Sequence, residues 1–370
     1  MNVMGIIFAN DATLGDLTNK RTMASLPFGG RYRQVDFHLS NMTCAGIRHI
    51  GIISRHNYQS LMNHIGSGEE WGLELEEGGL EFLTPYAMST TDIYRGKLDN
   101  LNFAMDFLEF GTDDEYVIMA DSAIVYNIDL TRVMASHLAS GKDVTVVAAK
   151  GIANGKKQLS MAFATGEDGK LTDVAVDYPA PEGYLASTGI FVVAKELLMH
   201  HVQEAVARSL YRFERDFLLR QYQAGNLSLN VYCYEGVTLY NDSTEEYYQS
   251  NLAILNDDVR ADLFNPARPI YTRVRDQVPS YYCDGSDIVN CSVADGCMLD
   301  GFVKDSVLFR HVTIGAGCDI DKCLIMNDTV VGEGSILKHV ILDKDVVVYP
   351  GAKLIGTPTT PVIIKRGDKV

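Results

Sequence analysis

Apolar positions recur every six residues along the last stretch of the chain. Val312, Cys318, Leu324, Val330, Ile336, Leu342, Val348 and Leu354 are all apolar, and Leu308, Ile314, Ile320 and Met326 run beside them before that series ends at Gly332. A helix repeats near 3.6 and a strand near 2, so neither accounts for a sustained six. A triangular coil does: each short side turns one aliphatic residue onto a stacked core, the hexapeptide form of a parallel β-helix. Gly315, Gly317, Gly332, Gly334 and Gly351 fall where such a coil turns. Cys291 and Cys297 carry the spacing into an earlier turn.

Upstream, continuous apolar runs alternate with helical spacing. Met4–Ala9, Ile47–Ser54, Tyr116–Ala120, Asp143–Ala149, Gly189–Ala194 and Leu227–Tyr234 read as strands. Tyr32–Cys44, Tyr58–Ile65, Asn100–Leu108 and Leu130–Leu138 read as helices. This order predicts a Rossmann-like α/β domain with a mostly parallel sheet, helices on both faces and ligands at the carboxyl ends of the strands. A helix over Thr244–Asn256 leads through Pro266, Pro269 and Pro279 into the coil. The predicted organisation is an α/β domain over 1–245, a helix and linker over 246–280 and the coil over 281–370.

Composition narrows the function classes. A chain of 370 residues is too long for one ordinary core. No apolar run approaches the length of a membrane span, and the opening MNVMGIIFAN reads as a buried strand, without the basic region of a signal peptide. Seven cysteines without CxxC spacing fit a reducing cytoplasm. A net charge of −16 opposes nucleic-acid binding, which needs clustered Lys and Arg. It leaves room for a local basic pocket.

Leu17-Thr18-Asn19-Lys20-Arg21, Phe28-Gly29-Gly30-Arg31-Tyr32-Arg33, Asp36–Asn41, Gly46-Ile47-Arg48, Tyr94-Arg95-Gly96, Ala186–Ile190 and Asp343–Val348 form an ordered set. Followed by a hexapeptide coil, that set resembles the glucose-1-phosphate adenylyltransferase (ADP-glucose pyrophosphorylase) family over essentially the whole chain. The resemblance implies a nucleotidyltransferase domain joined to a left-handed β-helix.

Several departures stand at positions the family uses. Its first strand leads into a loop of the form GGxGxRL, whose N–H groups cradle the triphosphate. Here Ala9-Asn10-Asp11-Ala12-Thr13-Leu14-Gly15 is shorter, with one Gly and no Arg, and Asp11 brings a carboxylate towards phosphates. The family's following lysine falls on Met23. Its two magnesium-binding aspartates fall on Ser122 and Tyr240, with Asp121 and Asp242 one and two residues away. The lysine of its E-K-P motif becomes Tyr178, and the motif resembling DFGKD reads Arg212-Phe213-Glu214-Arg215-Asp216. Asp99, Ser187 and Asp216 are the remaining candidate ligand contacts.

These losses make the chain resemble the GlgD-type, non-catalytic subunit of that family. The resemblance implies a cytoplasmic regulatory and assembly role in bacterial glycogen biosynthesis, beside a catalytic subunit in a heterotetramer, together with self-association. No catalytic residue, metal site or cofactor is assigned; Mg2+ is needed only if the chain is active. The matching basic segment in the family contributes to an effector site, so Lys20, Arg21, Arg31 and Arg33 are candidates for a phosphorylated sugar, against the plain reading of a solvated loop. Two other readings stay open: a low-activity adenylyltransferase using Asp121 or Asp242 for magnesium, and a hexapeptide acyltransferase using His311 or His339. His200-His201 is expected to close a helix, where imidazole suits the C-terminal dipole. Tyr247-Tyr248 and Tyr281-Tyr282 are expected to pack between the domains.

Overall fold

The computed structural model describes residues 2–10, 12–74, 78–84, 95–109, 113–166 and 170–370, so Asp11 and Tyr94 lie outside the described residues. Val3–Phe8 is buried at every position and pairs in parallel with Tyr116–Asp121 on one side and His49–Ile53 on the other. Continuous apolarity is what a central strand covered on both faces requires. Gly79–Leu83 extends this edge in parallel. On the far side Leu185–Ala194 runs antiparallel to Tyr116–Asp121 and forks the sheet. It pairs with Val144–Ala149, which carries Leu229–Tyr234, and with Leu159–Thr165, which carries Leu171–Tyr178. The last antiparallel pair escaped the sequence reading because Leu171–Tyr178 has only one buried position, Val174.

The fork places the cleft. Leu185–Ala194 slips register between Ser187 and Phe191, and Gly189 there has φ of 75°. A Cβ on Gly189 would lie 2.6 Å from the Cβ of Asp121, so only glycine lets the two strands meet there. His200 and His201 lie inside the helix Lys195–Ala207 and do not close it; His201 instead faces Glu204 at 3.6 Å. The dipole argument therefore does not apply to them.

The coil is present, with a shorter turn than eighteen residues. Thr313 pairs with Val330 and Val330 with Val347, while Leu324 pairs with Ile341, so the central turns take 17 residues, against 15 from Met298 to Thr313 and 22 from Val340 to Val362. The core series is Leu308, Ile314, Ile320, Ile325, Val331, Leu337, Leu342 and Val348, with steps of six, six and five. A strict six drifts off it: Val330 is 42% exposed, while Leu324 and Met326 point outward into the seam with the α/β domain. The corners repeat at the same interval. Gly317, Gly334 and Gly351 form one row of left-handed residues. Asp305, Lys322 and His339 form a second, and His311, Asp328 and Asp345 a third. His311 and His339 are thus corner residues; His311 faces Asp328 at 3.1 Å, and His339 Nδ1 lies 2.9 Å from the Tyr248 hydroxyl.

Helices Thr244–Ala253 and Asp257–Leu263 connect the two halves, capped by the Ser243 and Asn256 side chains. Tyr247 and Tyr248 are fully buried in the seam, where their hydroxyls donate to the carbonyls of Pro27 and Lys322. Tyr281 and Tyr282 are exposed and do not join them.

His38 is buried, its Nδ1 3.2 Å from the Tyr126 hydroxyl. Burial lowers its pKa from 6.5 to about 4, against a hydrogen bond to the Ser122 backbone. The unfolded chain therefore binds more protons between these values, and stability is lost as pH falls through that window. The loss is about 3 kcal/mol by its lower end. Urea titrations of His38→Asn should show a flattened acid limb; an unchanged limb would place the proton uptake elsewhere.

Candidate functional site

A cleft of about 580 Å³ opens at the carboxyl end of the central strands, with Ala12, Lys97, Asp121, Ser187, Tyr240 and Asp242 among its lining. The helix Lys97–Phe103 brings the Lys97 Nζ to 2.6 Å from Asp121 Oδ2 and into a hydrogen bond with Glu214. The Phe8 and Phe191 rings lie 5.6 and 5.4 Å from the ammonium. Burial opposes the charge, but Asp121 and Glu214 outweigh it and hold the pKa above the usual lysine value. A second lysine repeats the device. Lys157 Nζ lies 3.3 Å from Asp242, 2.5 Å from Glu246 and 4.4 Å from the centre of the Tyr240 ring. Tyr240 donates to the Ser187 carbonyl at 2.8 Å, and burial raises its phenol pKa.

The remaining candidates scatter. Asn10 closes its loop by accepting from the Ser54 hydroxyl at 2.9 Å and the Arg55 amide at 3.0 Å. Met23 is fully buried in the seam among Phe28, Phe37 and Tyr247, and Ser122 is fully buried. Tyr178 is half exposed beside Asp177, which Arg212 and Arg215 hold at 3.2 and 2.7 Å. Asp99 pairs with Arg55 at 2.7 Å. Asp216 accepts from the amides of Tyr211 and Arg212 and does not reach the cleft, so of the three candidate contacts only Ser187 lines it.

The basic segment divides differently. Arg21 is 5% exposed and donates to both oxygens of Asp343, itself 1% exposed, at 2.5 and 2.6 Å. It is a strut between the halves and is not available to a ligand. Lys20 is exposed and outside any described cavity. Arg31 and Arg33 instead line a cavity of about 180 Å³ in the seam, together with Arg275, Arg310, Lys344 and Arg366. Asp328 and Asp345 are the only carboxylates on its described wall. The cations depress one another. Burial, with Arg21 and Arg275 adding to it, lowers Arg33 to about 10. Burial with Arg33 and Arg21 lowers Lys344 to about 7, and burial with Arg31 and Arg275 lowers Arg310. Arg310 keeps its Nε and Nη2 buried without hydrogen-bond partners, its ion pair to Asp295 standing at 3.7 Å. Crowded cations with unfilled donors suit an anion.

Residues 12–231 match the family described as Nucleotidyl transferase, and residues 280–360 match GlmU-like, C-terminal hexapeptide. The glycogen biosynthesis protein GlgD of Bacillus subtilis (strain 168) is 32% identical over 96% of this chain and 92% of its own length. That of Geobacillus stearothermophilus is 32% identical over 99% and 96%. The glucose-1-phosphate adenylyltransferase of Fervidobacterium nodosum is 26% identical over 95% and 85%. The chain belongs to the glucose-1-phosphate adenylyltransferase family, GlgD type.

Within that family the cleft is where a magnesium–nucleotide complex would be held, and the donor set here does not fit the ion. Asp121 and Asp242, the carboxylates nearest the expected positions, each face a lysine. A dication about 4 Å from an ammonium is repelled by about 8 kcal/mol at an effective dielectric of 20. Lys97 and Lys157 were not singled out from the sequence, and Glu214 only within the motif at 212–216, since no local pattern says that residues 24 and 117 positions apart will meet.

Removing one partner of a buried ion pair leaves the other charge stranded, at about 3–5 kcal/mol. Arg21→Ala should therefore lower unfolding free energy by that amount, and Arg21→Met with Asp343→Leu should recover most of it. Chemical denaturation of the three proteins measures this; a single variant as stable as the unmutated chain would show that the pair does not hold the seam.

Proposed function

We propose that this chain is a regulatory and assembly subunit in bacterial glycogen biosynthesis, acting on a catalytic glucose-1-phosphate adenylyltransferase subunit and making little ADP-glucose itself. The observation that carries the reading is the pair of lysines facing Asp121 and Asp242. Nucleotidyl transfer needs a divalent ion to gather phosphates and offset charge in the transition state. A cleft whose nearest carboxylates are already compensated by Lys97 and Lys157 has lost the field that recruits one. The GlgD names of two relatives support the pathway.

The regulatory input on this reading is a phosphorylated sugar in the seam cavity. A phosphate ester would fill the donors of Arg310 and relieve the crowding among Arg33, Arg310 and Lys344. Assembly is read as self-association and a heterotetramer with the catalytic subunit, since the coil ends in sheet edges that are costly to leave bare. Seven unpaired cysteines are compatible with a cytoplasmic site of action. Among the described residues no helix is long and apolar enough to cross a membrane.

Two assays test this. The purified chain with ATP, glucose 1-phosphate and Mg2+ should turn over far below the roughly 10 per second of an ordinary enzyme; a comparable rate would sink the reading in favour of a working adenylyltransferase. In complex with a catalytic homologue, Arg33→Ala and Arg310→Ala should each weaken activation by sugar phosphates about tenfold or more, because a charge-assisted hydrogen bond contributes about 1.5–3 kcal/mol. Assembly should survive both. A complex that answers every sugar phosphate as before would move regulation to the subunit contacts alone.

A further inference from the structure

Lys344 lines the seam cavity, and among the described residues its side chain makes neither a hydrogen bond nor an ion pair. Two of its neighbours are engaged, Arg33 donating to Ser60 at 2.6 Å and Arg366 to Asp345 at 3.0 Å. The adjacent Asp343 is taken by Arg21. The Lys344 amine thus faces a small cavity rich in guanidinium groups, with no acceptor of its own.

We propose that Lys344 is a carbamylation site, whose ε-amine takes up carbon dioxide to form an N-carboxylate among the guanidinium groups of that cavity. The amine lone pair attacks the carbon of CO2 and an N–C bond forms. One C=O π pair moves onto oxygen, and an N–H proton leaves to solvent. Amine and CO2 give carbamate and a proton, with no redox partner.

Three features favour the adduct. Only the neutral amine reacts, and burial beside Arg33 and Arg21 lowers Lys344 to about 7. At neutral pH that leaves roughly a thousandfold more free amine than on an ordinary lysine of pKa about 10.4. The product is an anion and lands where the wall has five guanidinium side chains against two carboxylates. Finally, Arg310, 6% exposed, offers buried Nε and Nη2 donors without acceptors. A carbamate and a phosphate ester would draw on the same cations, so the two are expected to exclude each other.

The site is the cavity assigned above to an effector, but the adduct can be read on the chain alone. Full-length protein is equilibrated with 13C-labelled bicarbonate, and the carbonyl region is observed by 13C NMR. The adduct is then trapped by O-alkylation and located by peptide mass spectrometry. We expect one protein-bound carbamate, mapped to Lys344, absent in Lys344→Arg and diminished by inorganic phosphate. Mapping on the unmutated chain keeps the assignment independent of how the variant folds. No adduct, an adduct on another amine, or a signal that survives Lys344→Arg overturns the proposal. An adduct at Lys344 that phosphate leaves untouched upholds it and counts against the effector reading instead.

Discussion

Arg21 and Asp343 meet across the seam between the α/β domain and the coil, 322 residues apart in sequence and almost wholly out of water. Burying both charges is costly, and short charge-assisted hydrogen bonds from Arg21 Nη2 to both Asp343 oxygens help offset the loss of hydration. Their meeting fixes more than two side chains. Arg21 leads into the short hairpin of Pro27–Phe28 with Tyr32–Arg33, whose turn carries Arg31. Asp343 is followed at once by Lys344 on the coil. Pinning the first pair therefore sets Arg31 and Arg33 around the same small cavity as Arg310 and Lys344. The cation cluster is a consequence of the strut.

The two cavities handle charge in opposite ways. In the cleft, Lys97 lies between Asp121 and Glu214, Lys157 between Asp242 and Glu246, and Asp177 between Arg212 and Arg215. Every one of these charges has its counter-charge inside the protein. In the seam, cations outnumber carboxylates and several are pulled below their usual pKa. A chain of net charge −16 thus concentrates unbalanced positive charge at one place. Balanced charge stabilises a wall; unbalanced charge invites a ligand.

How much of this could be read in the sequence follows from how local each feature is. Strands and helices of the α/β domain announce themselves within a dozen residues, and nearly all stand where the apolar pattern put them; the edge pair Leu159–Thr165 and Leu171–Tyr178 does not, because it has little to bury. The coil was legible as a coil but not in its register. A step of five in each central turn is invisible to a search for sixes, and it decides which residues stack. Counted at 17, Arg310, Asn327 and Lys344 fall in one row beneath the hairpin, and the seam cavity would have been foreseen. Arg21 reads in the sequence as one of four candidates for a ligand, but its partner is Asp343, at the other end of the chain. The lysine pairings in the cleft had no signal at all, being contacts between a helix, a loop and a strand end that only the fold brings together.

The contrast also bears on how a chain of this kind could carry information. A catalytic cleft changes charge state as metal and nucleotide come and go. Here the cations are covalently part of the chain, so the field in the cleft is nearly the same whatever the solution contains. The seam is different, because its charge is unfinished and its walls belong to both halves of the molecule. A ligand there alters the balance across the surface that Arg21 and Asp343 hold closed, and it shifts an equilibrium between arrangements of the chain only so far as it binds them with different affinity. That differential must come from contacts contributed by more than one element. The hairpin supplies Arg31 and Arg33, the linker Arg275, and the coil Arg310, Lys344 and Arg366. Any relative movement of the three changes the cavity, and by reciprocity any ligand in the cavity resists that movement.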